Sequence, residues 1–168
     1  MGCDIHLYVE YRNKNRNSPW EESGIVMPNC GDRSYEMFAV MADVRNYNNL
    51  ERIVPDRGYP MDAAYSTDKA YFCEISENEL HENPFYHEPI RIKKVGKRTL
   101  YMREELDYHS ANWCTASELE ECINFIFKKE ENEVWIGNYI EWFVLLGAMK
   151  GYEITGEYEC RAVYWFDN

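Results

Sequence analysis

The amino terminus of the chain alternates between apolar and polar residues. The apolar set consists of Cys3, Ile5, Leu7 and Val9, and the polar set consists of Asp4, His6, Tyr8 and Glu10. Because successive side chains of a β-strand point to opposite faces, this pattern predicts a strand over residues 3–12 with one face in the core. The polar face is then either exposed to bulk water or lines a pocket, and which of the two applies bears directly on function.

Three helices are predicted from apolar periodicity and capping residues. Ser34 is placed to N-cap a short first helix. Thr115 and Glu118 form a capping box at the start of the second. The third spans about residues 134–149, with Gly151 just beyond its end. Its predicted inward face consists of Trp135, Ile136, Tyr139, Ile140, Phe143, Val144 and Leu146.

Short runs of alternating or β-branched residues predict the remaining strands. They comprise a strand returning from about Trp20, a strand at residues 71–75, a hairpin of residues 90–95 with 99–102, and a last strand at residues 159–166. Two stretches lack such patterns and are expected to be irregular or loop-rich, namely residues 24–32 and 47–70. The order of elements predicts one α+β domain over residues 1–168. We expect a mostly antiparallel sheet with about three helices packed on one side.

Composition and charge narrow the functional classes. Apolar residues make up 45% of the 168-residue chain, which is enough for a core, and the formal net charge is −12. An acidic surface repels nucleic-acid phosphates and anionic lipid, so binding to nucleic acid or to a membrane is disfavoured. The six cysteines include no C-x-x-C pair, and the first strand begins without a secretory leader. We therefore expect reduced thiols and a cytoplasmic location.

Asp4 and His6 are the first candidates for chemistry, because a carboxylate and an imidazole two residues apart on a strand share a face. Together they can hold a divalent metal ion or act as a general acid–base pair, and His109 is the best distant partner. A solvated outer strand face explains the same pattern equally well. His81 and His87 stand in an acidic, proline-containing segment that is typical of an exposed loop.

Three arginines beside turns are candidates for anion binding. Arg33 precedes the first predicted helix, Arg45 lies near its end, and Arg57 precedes Gly58. For Arg45, an ion pair with Asp43 explains the presence of the charge as well as anion binding does. For Arg57, an exposed position in a loop is the corresponding explanation. Aromatic residues of the loops are suited either to packing or to stacking on a base or sugar: Tyr35, Tyr47, Tyr59, Tyr65, Tyr108 and Trp113.

Five blocks of sequence carry a resemblance that runs from the first residue to the last. They are Met1-Gly2-Cys3-Asp4-Ile5-His6, Asp32-Arg33-Ser34-Tyr35-x-x-Phe38-Ala39-x-Met41-Ala42-Asp43-Val44-Arg45-Asn46, Arg57-Gly58-x-Pro60, His109-Ser110-x-x-Trp113-x-Thr115 and Arg161-x-Val163-x-Trp165-Phe166-Asp167-Asn168. In combination they resemble a group of small proteins, without an assigned activity, from bacteriophages and from bacterial genomes that carry prophage. Similar sequences often have a second histidine two residues after His109. Its absence here argues against a two-histidine metal site.

The resemblance implies a phage setting and, if the chain is phage-encoded, the host cytoplasm as its location. Our leading hypothesis is therefore a phage-type protein that binds a small nucleotide-derived ligand. Sequestration of a host immune-signalling nucleotide is the role that such a setting suggests by analogy. The predicted pocket consists of Asp4, His6, Arg33, Tyr35, Asp43, Arg45, Arg57, His109 and Trp113.

Two alternatives are left open. In the first, a metal-dependent hydrolase or phosphodiesterase uses Asp4, His6 and His109, while an arginine stabilises phosphate charge. In the second, an acidic inhibitor binds a basic host protein. The sequence predicts no specific cofactor, and it leaves open a divalent metal ion and assembly into a homo-oligomer.

Overall fold

A computed structural model describes residues 2–28, 33–76, 91–95, 97–104, 107–129 and 139–167. In chain order, the described residues form β1 (Asp4–Asn13), β2 (Glu21–Pro28), α1 (Tyr35–Ala42), α2 (Tyr65–Tyr71), β3 (Phe72–Ile75), β4 (Arg91–Val95), β5 (Arg98–Glu104), β6 (His109–Thr115), α3 (Ala116–Lys129), α4 (Ile140–Glu153) and β7 (Tyr158–Asp167). A short 3-10 turn, Lys14–Arg16, follows β1.

The seven strands of the described segments form two antiparallel sheets. The larger sheet has the strand order β2-β1-β7-β6, and the smaller has the order β3-β5-β4. β1 and β7 pair along their whole length, from Asp4 opposite Asp167 to Asn13 opposite Tyr158. The first and last strands therefore meet at the centre of the larger sheet, and the start of β1 lies beside the end of β7.

The apolar face of the larger sheet packs against three helices. Residues of α1, α3 and α4 form one buried cluster with the apolar side chains of β1 and with Cys160, Ala162, Tyr164 and Phe166 of β7. This arrangement confirms the predicted α+β fold with an antiparallel sheet and helices on one side. It also confirms the core face that the alternation in β1 predicts. Truncation of the fully buried Leu7 to Ala should therefore cost about 2–5 kcal/mol.

The smaller sheet packs on the opposite face of the larger one. The contact is a second buried cluster that consists of Tyr71, Phe72, Leu100, Met102, Val163 and Trp165. The smaller sheet covers only one end of the polar face of β1. Glu10 is fully buried, whereas Asp4 and His6, at the other end of the strand, stay partly exposed.

Two local predictions are wrong. Residues 24–28, predicted to be irregular, complete β2, and residues 65–71, predicted to be loop, form α2. Residues 109–115, for which no element was predicted, form β6. For the two strands the missing signal is tertiary, since β2 and β6 take their hydrogen bonds from β1 and β7.

The predicted inward face of the last helix is confirmed for Tyr139 and Leu146, which are buried, and is wrong for three other residues. The buried side chains of α4 are Trp142, Leu145, Leu146 and Met149, and three residues predicted to be buried face outward, namely Ile140, Phe143 and Val144. The helix also continues through Gly151 to Glu153. Because this segment is apolar on two faces, periodicity alone does not select between them. Trp135, Ile136, His81 and His87 lie outside the described residues.

The predicted capping box at the start of α3 is confirmed. The Glu118 N–H donates to Thr115 Oγ1 at 3.2 Å, and the Thr115 N–H donates to Glu118 Oε2 at 2.9 Å. At α1, Ser34 holds the N-cap position, but its side chain makes no capping bond. Its backbone carbonyl accepts from the Phe38 N–H instead.

The cysteines of the described segments are free thiols, namely Cys3, Cys73, Cys114, Cys122 and Cys160. Burial raises the pKa of Cys114 well above its usual value and raises those of Cys122 and Cys160 to about 12. These three thiols are therefore protonated at neutral pH and are poor nucleophiles.

Among the described residues, none of the helices has both the length and the apolar character needed to cross a membrane.

Candidate functional site

Most of the residues predicted for the pocket lie at one end of the larger sheet, around the start of β1. We call this region the amino-terminal cluster and define it as Asp4, His6, Arg33, Tyr35, Arg45, Tyr47 and Asp167. Its members come from β1, from the two ends of α1 with the loop that follows, and from the end of β7. The antiparallel pairing of β1 with β7 is what brings the chain termini together here.

Arg33 and Asp4 form a two-pronged ion pair in the amino-terminal cluster. Arg33 Nε lies 2.8 Å from Asp4 Oδ1, and Nη2 lies 3.3 Å from Oδ2. The hydrogen bond from Arg33 lowers the pKa of the Asp4 carboxyl below its usual range. The guanidinium lies over Gly2, where an added Cβ would come within 1.8 Å of Nη1. Glycine at position 2 leaves room for this approach, and a larger residue there would displace the end of the Arg33 side chain.

His6 is held by the other strand of the central pair. Its Nε2 lies 3.0 Å from Asp167 Oδ2, and its ring stacks on Trp165 with 5.6 Å between centroids. Tyr108 also contacts the imidazole, with 5.3 Å between ring centroids, and packs against Trp165 at 5.8 Å. The carboxylate and the two aromatic rings fix the imidazole plane, so His6 presents a hydrogen-bonding edge of defined orientation.

Arg45 reaches the amino-terminal cluster from the loop after α1. Its guanidinium hydrogen-bonds the Cys3 thiol, and Nη1 donates to Tyr47 Oη at 3.4 Å. The Tyr47 ring meets the ring of Tyr35 at 6.1 Å in an edge-on contact, and Tyr35 in turn bonds Arg33. The two arginines and two tyrosines therefore form a continuous arc over Cys3 and Asp4.

The backbone of this loop is strained in a way that positions Arg45. Asp43, Arg45 and Asn49 all have positive φ, of 59°, 52° and 49°, which costs non-glycine residues about 1 kcal/mol or more each. Asn46 compensates for this strain by donating to Asp43 Oδ1 at 2.7 Å and by bonding the backbone of Leu50 in both directions. Asp43 therefore shapes the loop through Asn46.

His109 lies on the other side of the sheet from His6. It pairs with Phe166, stacks on that ring at 6.0 Å, and bonds Ser110 through Nδ1. His6 stacks on Trp165, and consecutive residues of β7 point to opposite faces. The sheet therefore separates His109 from Asp4 and His6. Within the described segments, no three His, Cys, Asp or Glu side chains are grouped so as to hold a metal ion.

Arg57 and Trp113 belong to a different region, at the far end of β1. We call it the arginine–tryptophan ladder and define it as Arg12, Trp20, Arg161, Trp113 and Arg57. Arg12 and Arg161 both lie over the Trp20 ring, with Cζ-to-centroid distances of 4.5 and 4.0 Å. Arg161 and Arg57 flank Trp113 at 5.7 and 4.4 Å. Guanidinium and indole groups therefore alternate over five side chains.

Each arginine of the ladder is also bound to a carboxylate. Arg161 Nε bonds the buried Glu10 at 2.8 Å and its Nη1 bonds Asp62 at 2.8 Å. Arg57 Nη1 lies 3.1 Å from Glu118, and Arg12 pairs with Glu159. Burial raises the pKa of Glu118, but the bonds from Arg57 and Thr115 outweigh it and leave the pKa lowered. The ladder lines a cleft of about 750 Å³, and its arginines are already paired with carboxylates.

The two regions are well separated. Asp4 and Arg12 are eight residues apart on one strand, which corresponds to about 26 Å. The structure thus brings together Asp4, His6, Arg33, Tyr35 and Arg45, with Asp43 in the supporting loop, and places Arg57 and Trp113 elsewhere. His109 shares the end of the sheet but not the face.

Sequence reasoning did not include Asp167 and Tyr47 in the predicted pocket. Asp167 could have been found from the alternation of the last strand, since pairing the two terminal strands puts it beside Asp4. For Tyr47 the signal is weaker, because its place depends on the left-handed backbone of the loop. The chain matches no protein-family model, no curated protein and no solved structure, so a function must be argued from this geometry.

Proposed function

We propose that the chain binds a small phosphorylated ligand with an aromatic ring, of the nucleotide class, at the amino-terminal cluster. The observation that carries the proposal is the convergence of Arg33 and Arg45, from opposite ends of α1, on a pair of tyrosines near Cys3 and Asp4. Planar guanidinium groups match phosphate oxygens two at a time, and phenol rings stack on bases.

The exposure of these groups favours a ligand over a purely structural role. The Arg33 side chain is 49% exposed and Tyr47 is 69% exposed, so both remain accessible from solvent. Asp4 holds Arg33 in place in the absence of ligand. A phosphate carries more charge than a carboxylate and can take over the outer side of the same guanidinium.

We propose binding without turnover as the role of the cluster. An acid–base mechanism through Asp4, His6 and His109 would need groups that lie on two faces of the sheet. A protein that holds a nucleotide and leaves it intact acts by sequestration. In the phage setting that the sequence resembles, a host immune-signalling nucleotide is the ligand we propose.

Calorimetric titration tests this proposal with a panel of mononucleotides, cyclic mononucleotides and cyclic dinucleotides. We expect one subclass to bind, and we expect Arg33→Ala and Arg45→Ala each to weaken it about 10- to 100-fold, the usual loss for a charged hydrogen bond. Arg16→Ala, in the turn at the far end of β1, is the matched control and should bind like the wild type.

Three outcomes would contradict the proposal. They are absence of heat for every member of the panel, unchanged affinity in both cluster variants, and a weakened Arg16→Ala variant. The ligand recovered after denaturation of the complex should be chemically unchanged. A new product on chromatography would instead favour a hydrolase.

A further inference from the structure

The amino-terminal cluster contains the same three-residue pattern twice. Arg33-Ser34-Tyr35 stands at the start of α1, and Arg45-Asn46-Tyr47 stands in the loop after its end. We call these the first and the second Arg-x-Tyr unit. In both units the tyrosine N–H donates to the arginine carbonyl at 2.8 Å, which closes a three-residue turn between the two side chains. The repeat is therefore one of local structure as well as of sequence.

The side chains of the two units repeat the same contact. Arg45 Nη1 donates to Tyr47 Oη at 3.4 Å, and Arg33 hydrogen-bonds Tyr35. The second unit reaches this geometry with a φ of 52° at Arg45, a left-handed conformation that is unfavourable for a residue with a side chain. Backbone strain of this kind is concentrated at functional sites. Here it accompanies the placement of a second arginine and tyrosine beside the first pair.

The two guanidinium groups have different anchors. Arg33 pairs with the Asp4 carboxylate, and Arg45 bonds the Cys3 thiol. Cys3 is buried and Asp4 is partly exposed, as expected for consecutive side chains that point to opposite sides of an extended backbone. The two arginines are therefore held at different points instead of closing on one shared point. The cluster offers two anion positions, one at the outer side of each guanidinium.

The two phenol rings also offer separate surfaces. They meet edge-on, with 6.1 Å between centroids and 76° between the ring planes. A base that lies flat on one ring is therefore nearly perpendicular to the other ring, and no single planar base stacks on both. Tyr47 is largely exposed and Tyr35 is partly exposed. Each ring thus has a stacking surface for one base.

We propose that the ligand of the cluster is a cyclic dinucleotide, with one phosphodiester at each arginine and one base on each tyrosine. This step rests on the proposed function and names the subclass of nucleotide. The two phosphodiesters carry one negative charge each, and the two halves of the ligand repeat as the two Arg-x-Tyr units do. Ring closure also fixes the two halves, so less conformational freedom is lost on binding than for a linear dinucleotide.

Calorimetric titration with cyclic AMP, cyclic GMP, cyclic di-AMP and cyclic di-GMP tests this ligand. A ligand that engages two linked sites binds about 10²- to 10⁴-fold more tightly than a ligand that engages one. At least one cyclic dinucleotide should therefore bind at least about 100-fold more tightly than the mononucleotide of the same base. This ratio is measured on the wild type, so it does not depend on whether a substitution disturbs the loop.

The outcomes separate this proposal from nucleotide binding in general. A mononucleotide that binds as tightly as the matching cyclic dinucleotide would overturn the proposal and leave the proposed function in place. A linear dinucleotide of the same bases that binds more tightly than the cyclic one would do the same. Absence of heat for every nucleotide would remove both.

Arginine variants test whether both units are used. Arg33→Ala and Arg45→Ala should each weaken binding of the cyclic dinucleotide about 10- to 100-fold, because either change leaves one complete unit. Each should weaken binding of a cyclic mononucleotide by no more than about twofold, since the mononucleotide still finds the other unit. Arg16→Ala is again the control and should bind both ligands like the wild type. If only one of the two arginines affects the dinucleotide, the ligand uses a single unit and the proposal fails.

Discussion

The amino-terminal cluster and the arginine–tryptophan ladder use the same residue types for different ends. In the cluster, Arg33 is half-exposed and meets a carboxylate that is itself partly exposed. In the ladder, Arg161 is buried between two indole rings and two carboxylates, one of which is the fully buried Glu10. In the amino-terminal cluster the guanidinium groups remain accessible to an incoming anion. In the ladder they are fully paired and hold strands and loops together.

Local enrichment in arginine and aromatic residues therefore does not by itself identify a binding site. The number of partners and the exposure of each guanidinium separate the two regions. If this distinction holds, changes in the ladder should alter stability, and changes in the amino-terminal cluster should alter binding.

Breaking the buried ion pair of the ladder should have the largest effect. Arg161→Met leaves Glu10 charged in a dry environment, so we expect a loss of about 3–5 kcal/mol in the free energy of unfolding. Urea denaturation at neutral pH measures this loss. The double variant Glu10→Gln/Arg161→Met removes both charges and should recover part of the stability. If the unfolding free energy of the single variant lies within about 1 kcal/mol of the wild-type value, the ion pair does not stabilise the fold as proposed.

Removal of one indole should have the next largest effect. Trp113→Ala takes away the ring between Arg57 and Arg161, and we expect unfolding to become easier by about 2–3 kcal/mol. Tyr47→Ala, in the amino-terminal cluster, should change the unfolding free energy by less than about 0.5 kcal/mol, because the ring is largely exposed. Equal costs for the two variants would remove the distinction between the regions.

Acid should weaken the ladder through Glu118. Its pKa in the folded chain lies below the ordinary value of 4.5, so its contribution is fully present above that value and is lost as the pH falls through the folded pKa. Comparison of wild type with Glu118→Gln by urea denaturation should show a stability difference at neutral pH that shrinks at about pH 3. A difference that stays constant across this range would show that Arg57 gains nothing from the ionised carboxylate.

Only a small change in stability is expected at the cluster's own ion pair. Arg33→Ala should leave the unfolding free energy close to that of the wild type, because the pair with Asp4 is screened by solvent. Any difference should shrink further in high salt. Thermal melts at low and high salt measure both effects. A loss of unfolding free energy as large as that of Arg161→Met would mean that Arg33 also has a structural role.

Much of the fold was predictable because local patterns and tertiary contacts agree. The alternation of residues 3–12 identifies the core face, and the capping box locates the start of α3. The stretch of residues 47–70 was not predictable, because its order depends on a distant strand. The buried Asp68 there is held by Tyr59 and by Arg91 and Lys93 of β4. No pattern in the neighbouring sequence predicts such a contact.

The site was predictable only in part for the same reason. Asp4, His6, Arg33 and Arg45 converge because the first and last strands pair and because the loop after α1 adopts left-handed backbone. Arg57 belongs to the same residue class and also lies beside a turn, but its turn leads to the ladder. Sequence identifies which side chains can bind an anion, and topology decides which of them meet.

The affinity of the nucleotide panel for the Arg33→Ala/Arg45→Ala double variant tests the central claim most directly. Calorimetric titration should show at least about a 100-fold loss of affinity for the ligand that the wild type binds, with an unfolding free energy close to that of the wild type. Unchanged affinity in this variant would contradict the account. So would a ligand whose binding is lost in Trp113→Ala but kept in the double variant.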